Sequence, residues 1–419
     1  MNNIPEKDRS ILRQLAEEQA KIAALPVQRE TAAAWRRLNA LKPGRALVWI
    51  NEIPWHEMEA DGELAQQTTH PFCCGVESQL RQTLYQWKHL PGDMVVENTF
   101  YSPLAVQDTG FGIDEDVNVI SQDPNGGIVS RTFHPQIKDE KDLVKIKTPV
   151  LTHDEAASEE TFQTLRSLFG DILKIEKRGI IHSWFAPWDE LIRWYGVEEA
   201  MVDMMDRPEL VHQAMDRLVK AYMARLDQWE ALNVLSLSSG NHRVGSGGLG
   251  YTNELPAAGF NPARVRSQDQ WGCATAQIFC EVSPDMHEAF ALQYERRWLE
   301  RFGLNYYGCC EPLHNKMDIL ASVPRLRKIS MSPWADVDKA APRLSGRYVF
   351  SYKPNPAVLA TDNWNPGEVR QALRTVLEKT RRHGCVVEII MKDVSTLRYA
   401  PQRLWQWAEI AREEASQWA

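Results

Sequence analysis

Three helices in the chain share one punctuation, and it constrains the fold more than any other feature. In "SPDMHEAFALQYERRWLERFG" Ser283 is the cap, Pro284 takes the first helical position and Gly303 closes; in "NPGEVRQALRTVLEKTRRHG" Asn365, Pro366 and Gly384 repeat the pattern. In "MDRPELVHQAMDRLVKAYMARL" Pro208 opens a helix on which Val211, Met215, Leu218, Val219, Tyr222 and Leu226 share a face. Between such helices lie short apolar runs: "MVVENTFY" (94–101), "GIIHSWF" (179–185), "NVLSLSS" (233–239), "AQIFCEV" (276–282), "LNYYGCC" (304–310), "LRKISMS" (326–332), "RYVFSYK" (347–353) and "CVVEIIMK" (385–392). Apolar runs alternating with helices predict an α/β chain with a parallel sheet, and eight units predict a closed (β/α)8 TIM barrel.

Residues 6–41 carry helical spacing that ends at Pro43 and Gly44, which predicts an N-terminal helical extension over 1–45. The ninth run, "ALVWINEI" (46–53), is expected to be an extra element or lid strand. The weakly periodic stretch 102–178, with turn signals at "DPNGG" and "KTPV", is expected to be an insertion in the first βα loop. The organisation predicted is one domain over 1–419 with its barrel core at 90–415.

The chain has 419 residues, 43% of them hydrophobic, and no apolar run approaches the roughly 18 residues of a membrane span. A charged N-terminus without a signal-peptide core predicts a cytoplasmic protein that does not enter the membrane. The net charge of −8, with no basic stripe, argues against nucleic acid and for small molecules or proteins as partners. Seven cysteines make a disulfide framework a poor reading, so each thiol is core filler or chemistry. Trp55 and Trp184 are among the tryptophans near turn signals that could line an apolar pocket.

In a barrel of this kind chemistry sits at the carboxyl ends of the strands. Those ends carry Glu97 and Tyr101, His182 with Trp184 and Asp189, Asn241 and His242, Cys280 and Glu281, Cys309 with Cys310 and Glu311, Tyr352 and Lys353, and Glu388 and Lys392. His242 is the best-placed histidine for proton or metal work, with His56 and His182 next. Lys353 and Lys392 could bind an anion or form a Schiff base. The substrate-binding set expected is Trp55, His56, Glu97, Trp184, Asn241 and Tyr352.

Gly245, Gly247 and Gly250 match a dinucleotide fingerprint in letters, but "YTNELPAAGFNP" follows instead of a helix, so residues 239–256 are expected to form a lid without nucleotide affinity. In "CCEPLHN" Pro312 reads as a first helical residue with Glu311 as its cap. Strand alternation turns only one cysteine of the pair inward, and Cys310 is expected there, since it lies nearest the helix N-terminus.

Beyond these local readings, "PWDELIRWYGVEEAMVDMMDRPELVHQAMDRL" (187–218), "GLNYYGCCEP" (303–312), "ISMSPWADVDKAAPRLSGRYVFSYKPNPA" (329–357) and "KDVSTLRYAPQRLWQWAEIAREEA" (392–415) resemble the uroporphyrinogen decarboxylase-like superfamily of (β/α)8 barrels. That family contains tetrapyrrole decarboxylases and zinc-dependent methyltransferases that work with corrinoid proteins. The decarboxylases carry an Arg-Gln-Ala-Gly-Arg stretch where this chain reads "VWINEIPWHEM", without arginine, so the resemblance points to the methyltransferase branch. The methyltransferases carry His-x-Cys after the sixth strand and another Cys after the last. Here Tyr307, Gly308, Cys309 and Cys310 stand at the first place and Met391-Lys392 near the second.

The resemblance therefore implies transfer of a methyl group from a small methylated substrate to a corrinoid protein, with zinc held by Cys310 or Cys309 together with Glu281, Glu311 or His242. A lyase or decarboxylase acting on a small carboxylate and a non-catalytic ligand-binding barrel are the alternatives. The partners expected are the substrate, a corrinoid-binding protein and a second copy of the chain.

Overall fold

The computed structural model describes residues 4–121 and 129–417; the "DPNGG" turn signal lies outside the described residues. The helical extension is two helices, Glu6–Ala23 and Pro26–Asn39. Eight strands run parallel to their neighbours: β1 Leu47–Ile50, β2 Thr99–Pro103, β3 Lys174–Arg178, β4 Trp271–Ala274, β5 Leu304–Tyr307, β6 Leu326–Met331, β7 Val349–Tyr352 and β8 Val386–Met391. The hydrogen-bonded sheet is a six-stranded arc in the order β1-β8-β7-β6-β5-β4, and β2-β3 form a separate pair. The sheet is thus not closed, where a closed barrel was expected. Hydrogen bonds cross the two gaps: Asp93 N donates to Val48 O at 2.7 Å, and the Gln270 amide donates to the carbonyls of Ile180 and Ser236 at 2.7 and 2.6 Å.

Several expected runs change role. The run 46–53, expected as an extra element or a lid strand, supplies β1, which pairs with β8 from Leu47↔Glu388 to Ile50↔Met391. The run 276–282 is not a strand: the strand lies earlier, at Trp271–Ala274, and Gln277–Phe279 is a 3-10 turn. Of 179–185 and 233–239 only the bridge Ile180↔Leu235 remains. The stretch 102–178 folds into two antiparallel strand pairs, Ala105–Asp108 with Leu151–Asp154 and Val117–Ile120 with Ser130–Phe133, plus the helix Glu155–Phe169.

The helix punctuation holds. The Asn365 side chain accepts from Gly367 N and Glu368 N at the start of Pro366–Arg382, and the Ser283 hydroxyl accepts from Met286 N. Helix Pro208–Ala231 buries Val211, Met215, Leu218, Val219, Tyr222 and Leu226. It packs in a core with one face of the sheet, to which Val48, Tyr307, Ile329, Phe350, Ile389 and Met391 belong. At roughly 1.5–3 kcal/mol per large apolar side chain removed from water, this face dominates the stability of the arc.

The glycine-rich segment 239–256 is not a lid. Val244, Leu249, Tyr251 and Leu255 are buried and cluster with Trp35, Leu47, Trp271, Tyr306, Val349 and Val386, so the segment lines the sheet's other face. Its glycines report close packing. A Cβ on Gly247 would lie 2.5 Å from both Glu388 Oε1 and Tyr306 Cε2. Gly247→Ala is therefore expected to destabilise by about 1–3 kcal/mol through overpacking, seen as a lower urea midpoint at unchanged slope. A midpoint equal to that of the parent would show that the segment yields as a mobile lid does.

Candidate functional site

β5 ends at Tyr307, and Gly308, at φ 94°, turns the chain before the cysteine pair. A Cβ there would sit 2.5 Å from Leu313 Cδ1, in a backbone region side chains avoid, so glycine is needed on both counts. The turn breaks the alternation expected of a strand. Cys309 is buried and Cys310 exposed, and the two Sγ atoms lie 3.5 Å apart. Glu311 caps no helix, the next one being Met317–Leu320. Its buried carboxylate accepts from Cys309 N and Thr275 Oγ1, each at 2.8 Å. Cys310 as the inward residue at a helix N-terminus is therefore corrected: Cys309 faces inward.

Inward of Cys309 stands Lys392, whose Nζ is 3.5 Å from Cys309 Sγ and 3.7 Å from Glu52 and which also donates to Asp393. Burial would lower the Lys392 pKa, but the neighbouring thiol pair and the carboxylates of Asp393 and Glu52 outweigh it and raise it, so Lys392 remains an ammonium ion, unsuited to Schiff-base chemistry. Within the thiol pair, the Cys309 S–H hydrogen bond holds Cys310 below its ordinary pKa, while that same bond and burial raise Cys309. Of the two thiols the exposed Cys310 is the one favoured to ionise, and water reaches it.

Cys310 lines a pocket of about 310 Å³ with Asp189, Gln277, Ile278, Ile192, Arg193, Arg131 and Phe133. Asp189 Oδ2 accepts from Gln277 Nε2 at 2.5 Å, and its buried Oδ1 has no hydrogen-bond partner among the described residues. Burial pushes this carboxyl up to about 6 and the charge of Glu311 adds to the rise, against weaker pulls from Gln277, Trp184 and Arg193. The pocket places a soft nucleophile beside a carboxyl that keeps its proton up to about pH 6.

Because the carboxyl rises on folding from 3.8 to about 6, the folded state binds the proton more tightly. Stability contributed here is fully present below the unfolded pKa and falls by roughly 2–3 kcal/mol as pH rises through the folded value. Asp189→Asn is expected to remove that slope in urea titrations between about pH 4 and about pH 7. An unchanged slope would mean Asp189 is solvated and ionised.

The other expected residues disperse. Glu97, Asn241 and His242 line a separate cleft of about 1210 Å³ beside β2 and β3. Lys353 is buried, donating to Tyr306 and to Ser351 Oγ at 2.7 Å; burial brings its pKa down to about 7 against the pull of Glu388. Glu388 lies mid-strand and fully buried rather than at a strand end. Trp55 packs edge-on to Tyr85 at 6.0 Å, His56 meets Tyr399 at 6.3 Å, and Tyr352 belongs to the helix-facing core. Trp184 is half-buried, 6.4 Å from His182, and Glu281 is exposed.

The expected metal set does not assemble. Glu311 is satisfied by Thr275 and the Cys309 amide, Lys392 stands against the thiol pair, and among the described residues no three His, Cys, Asp or Glu side chains converge on one point. Gln277, Arg193, Arg131, Glu52 and Asp393 escaped sequence reading because nothing local marks them; Asp189 stood among the strand ends without its link to Cys310.

No protein-family model matches the chain, and no curated protein matches it. Solved structures do: a methyltransferase from Methanosarcina mazei aligns over 92% of this chain and 98% of its own, with TM-score 0.50 and 11% identity. This chain thus shares the fold of that methyltransferase.

Proposed function

We propose that the chain is a methyltransferase-type enzyme acting on a small methylated substrate in the pocket between Cys310 and Asp189. One observation carries the reading: a thiol with a lowered pKa lines the same pocket as a carboxyl with a raised one, whose Oδ1 has no hydrogen-bond partner among the described residues. The Cys310 thiolate attacks the methyl carbon, the bond from methyl to heteroatom breaks, and the heteroatom leaves with the Asp189 proton. The products are S-methyl Cys310, a neutral leaving group and the Asp189 carboxylate. A corrinoid on a partner protein would supply the methyl acceptor, and Cys310 would then be recovered as the thiolate.

Exposed Trp334, beyond the end of β6, gives such a partner an aromatic anchor. The fold shared with a methyltransferase supports the class. We also read the six-stranded arc and the β2-β3 pair as parts of one opened (β/α)8 ring within a single domain, because chain order runs around both and bonds cross the gaps. The expected zinc finds no fitting ligand set, so no step here uses it. The lyase reading rests on Lys353, whose amine is near neutral but sealed among Tyr306 and Ser351.

The test is peptide mass mapping after exposure, without acceptor, to a panel of methyl ethers, methylamines and methyl thioethers. Methylation of Cys310 by one donor class, absent in Asp189→Asn for poor leaving groups, is expected. Turnover of any donor with Cys310→Ala as fast as the parent would reject the mechanism.

A further inference from the structure

The large cleft beside β2 and β3 is lined by the glutamates Glu97, Glu155, Glu159 and Glu176 and by two cations, Lys177 and Arg178, and the local pairing leaves one cation unmatched. Lys177 is matched by Glu159 at 2.5 Å, and Glu176 pairs with Lys174. Glu97 accepts the hydroxyls of Tyr101 and Tyr251 at 2.9 and 3.2 Å. Arg178, half-buried, is the one lining arginine or lysine that has no carboxylate within ion-pair distance among the described residues. Its guanidinium lies 3.9 Å from the centroid of the Tyr101 ring, and Nη2 reaches the Asn241 carbonyl at 3.4 Å.

A guanidinium stacked on a ring keeps most of its donors in a fixed plane, which suits a carboxylate or phosphate approached edge-on. Glu97 stands on the hydroxyl end of the same ring, so one ligand can touch both. The neighbouring His242 is buried and held well below its ordinary pKa by burial and then by His182 and Arg178, so it adds no competing charge. At about 1210 Å³ the cleft accommodates a molecule of cofactor size.

We propose that this cleft is a binding site for a small organic anion, a carboxylate or a phosphate ester, whose anionic end is held by Arg178 and whose hydrogen-bond-donating group meets Glu97. The site shares no lining residue with the thiol pocket, and the proposal does not rest on methyl transfer.

Calorimetric titration of the full chain with inorganic phosphate, acetate and glycine tests it, with phosphate and the two carboxylates separating the anion sources. At least one probe should bind saturably at one site, with affinity at least tenfold weaker in Arg178→Gln and partly kept in Arg178→Lys. Glu97→Gln should weaken glycine and leave acetate unchanged. Circular dichroism and melting of each variant separate lost folding from lost binding, and the lysine variant keeps the test valid if glutamine unfolds the chain. No saturable binding of any probe, binding indifferent to Arg178, or binding lost in Cys310→Ala and kept in Arg178→Gln would each overturn the proposal.

Discussion

Glu388→Ala is expected to destabilise the protein by about 3–5 kcal/mol, the range for removing one partner of a buried ion pair. Both side chains of the Lys328–Glu388 pair are fully buried, 2.8 Å apart. The carboxylate also accepts from Ser351 Oγ at 2.7 Å and Gly248 N at 3.2 Å, so it ties β6, β7, β8 and the glycine-rich segment together. Burial alone would raise the pKa of Glu388, but Lys328 and Lys353 draw it below the ordinary value. Alanine strands Lys328 between Trp35 and Trp271, whose ring centroids lie 5.6 and 5.7 Å from its Nζ, with no other carboxylate in ion-pair distance among the described residues. The double variant Lys328→Met with Glu388→Leu should recover most of the loss, because the pair's mutual attraction largely offsets its own desolvation. Urea unfolding of the single and double variants decides the matter. A single-variant loss below about 1 kcal/mol would show that water reaches the pair.

How much could be read beforehand follows from where the information lies. Caps and Pro–Gly punctuation are local, so Asn365, Ser283 and Pro208 located their helices correctly. Strand positions failed where small residues replaced apolar ones. β4 reads "WGCA" because Asn305 Oδ1 and Phe302 would lie 2.6 Å from a Cβ on Gly272, and the more apolar "AQIFCEV" drew the assignment instead. The segment 239–256 read as a lid because glycine and serine are common in loops. In fact its glycines admit Tyr306, Glu388 and Trp35 at close range.

For the site, the cysteine pair was legible as a feature but its orientation was not. Alternation presumes a strand, and the backbone leaves the strand at Tyr307 one residue before Gly308 turns it. Asp189 and Cys310 lie 121 positions apart by their numbers and share a pocket only through tertiary structure. Arg178 had no signal at all, since an arginine is marked as unpaired only by the neighbours it lacks.

The cysteine pair makes the sharpest functional prediction, because the two variants should differ in kind. Cys310→Ala removes the thiolate itself and is expected to abolish methyl transfer, on the order of 10³-fold or more. Cys309→Ala leaves the nucleophile but removes its hydrogen-bond donor, the largest cause of the lowered Cys310 pKa. In that variant the Cys310 pKa rises towards the ordinary thiol value, so less thiolate exists near neutral pH and reactivity there falls. The loss should disappear as pH rises above the new pKa, whereas the Cys310→Ala loss should persist at every pH. Truncating buried Cys309 also costs packing, about 1–2 kcal/mol, which leaves the chain folded enough to assay. The pH profile of alkylation at Cys310 by iodoacetamide measures this shift without a substrate. Lys392 remains in both proteins, so its charge does not distinguish them. A midpoint in Cys309→Ala equal to that of the parent would mean that Cys309 donates nothing and that Lys392 alone sets the reactivity of the rim.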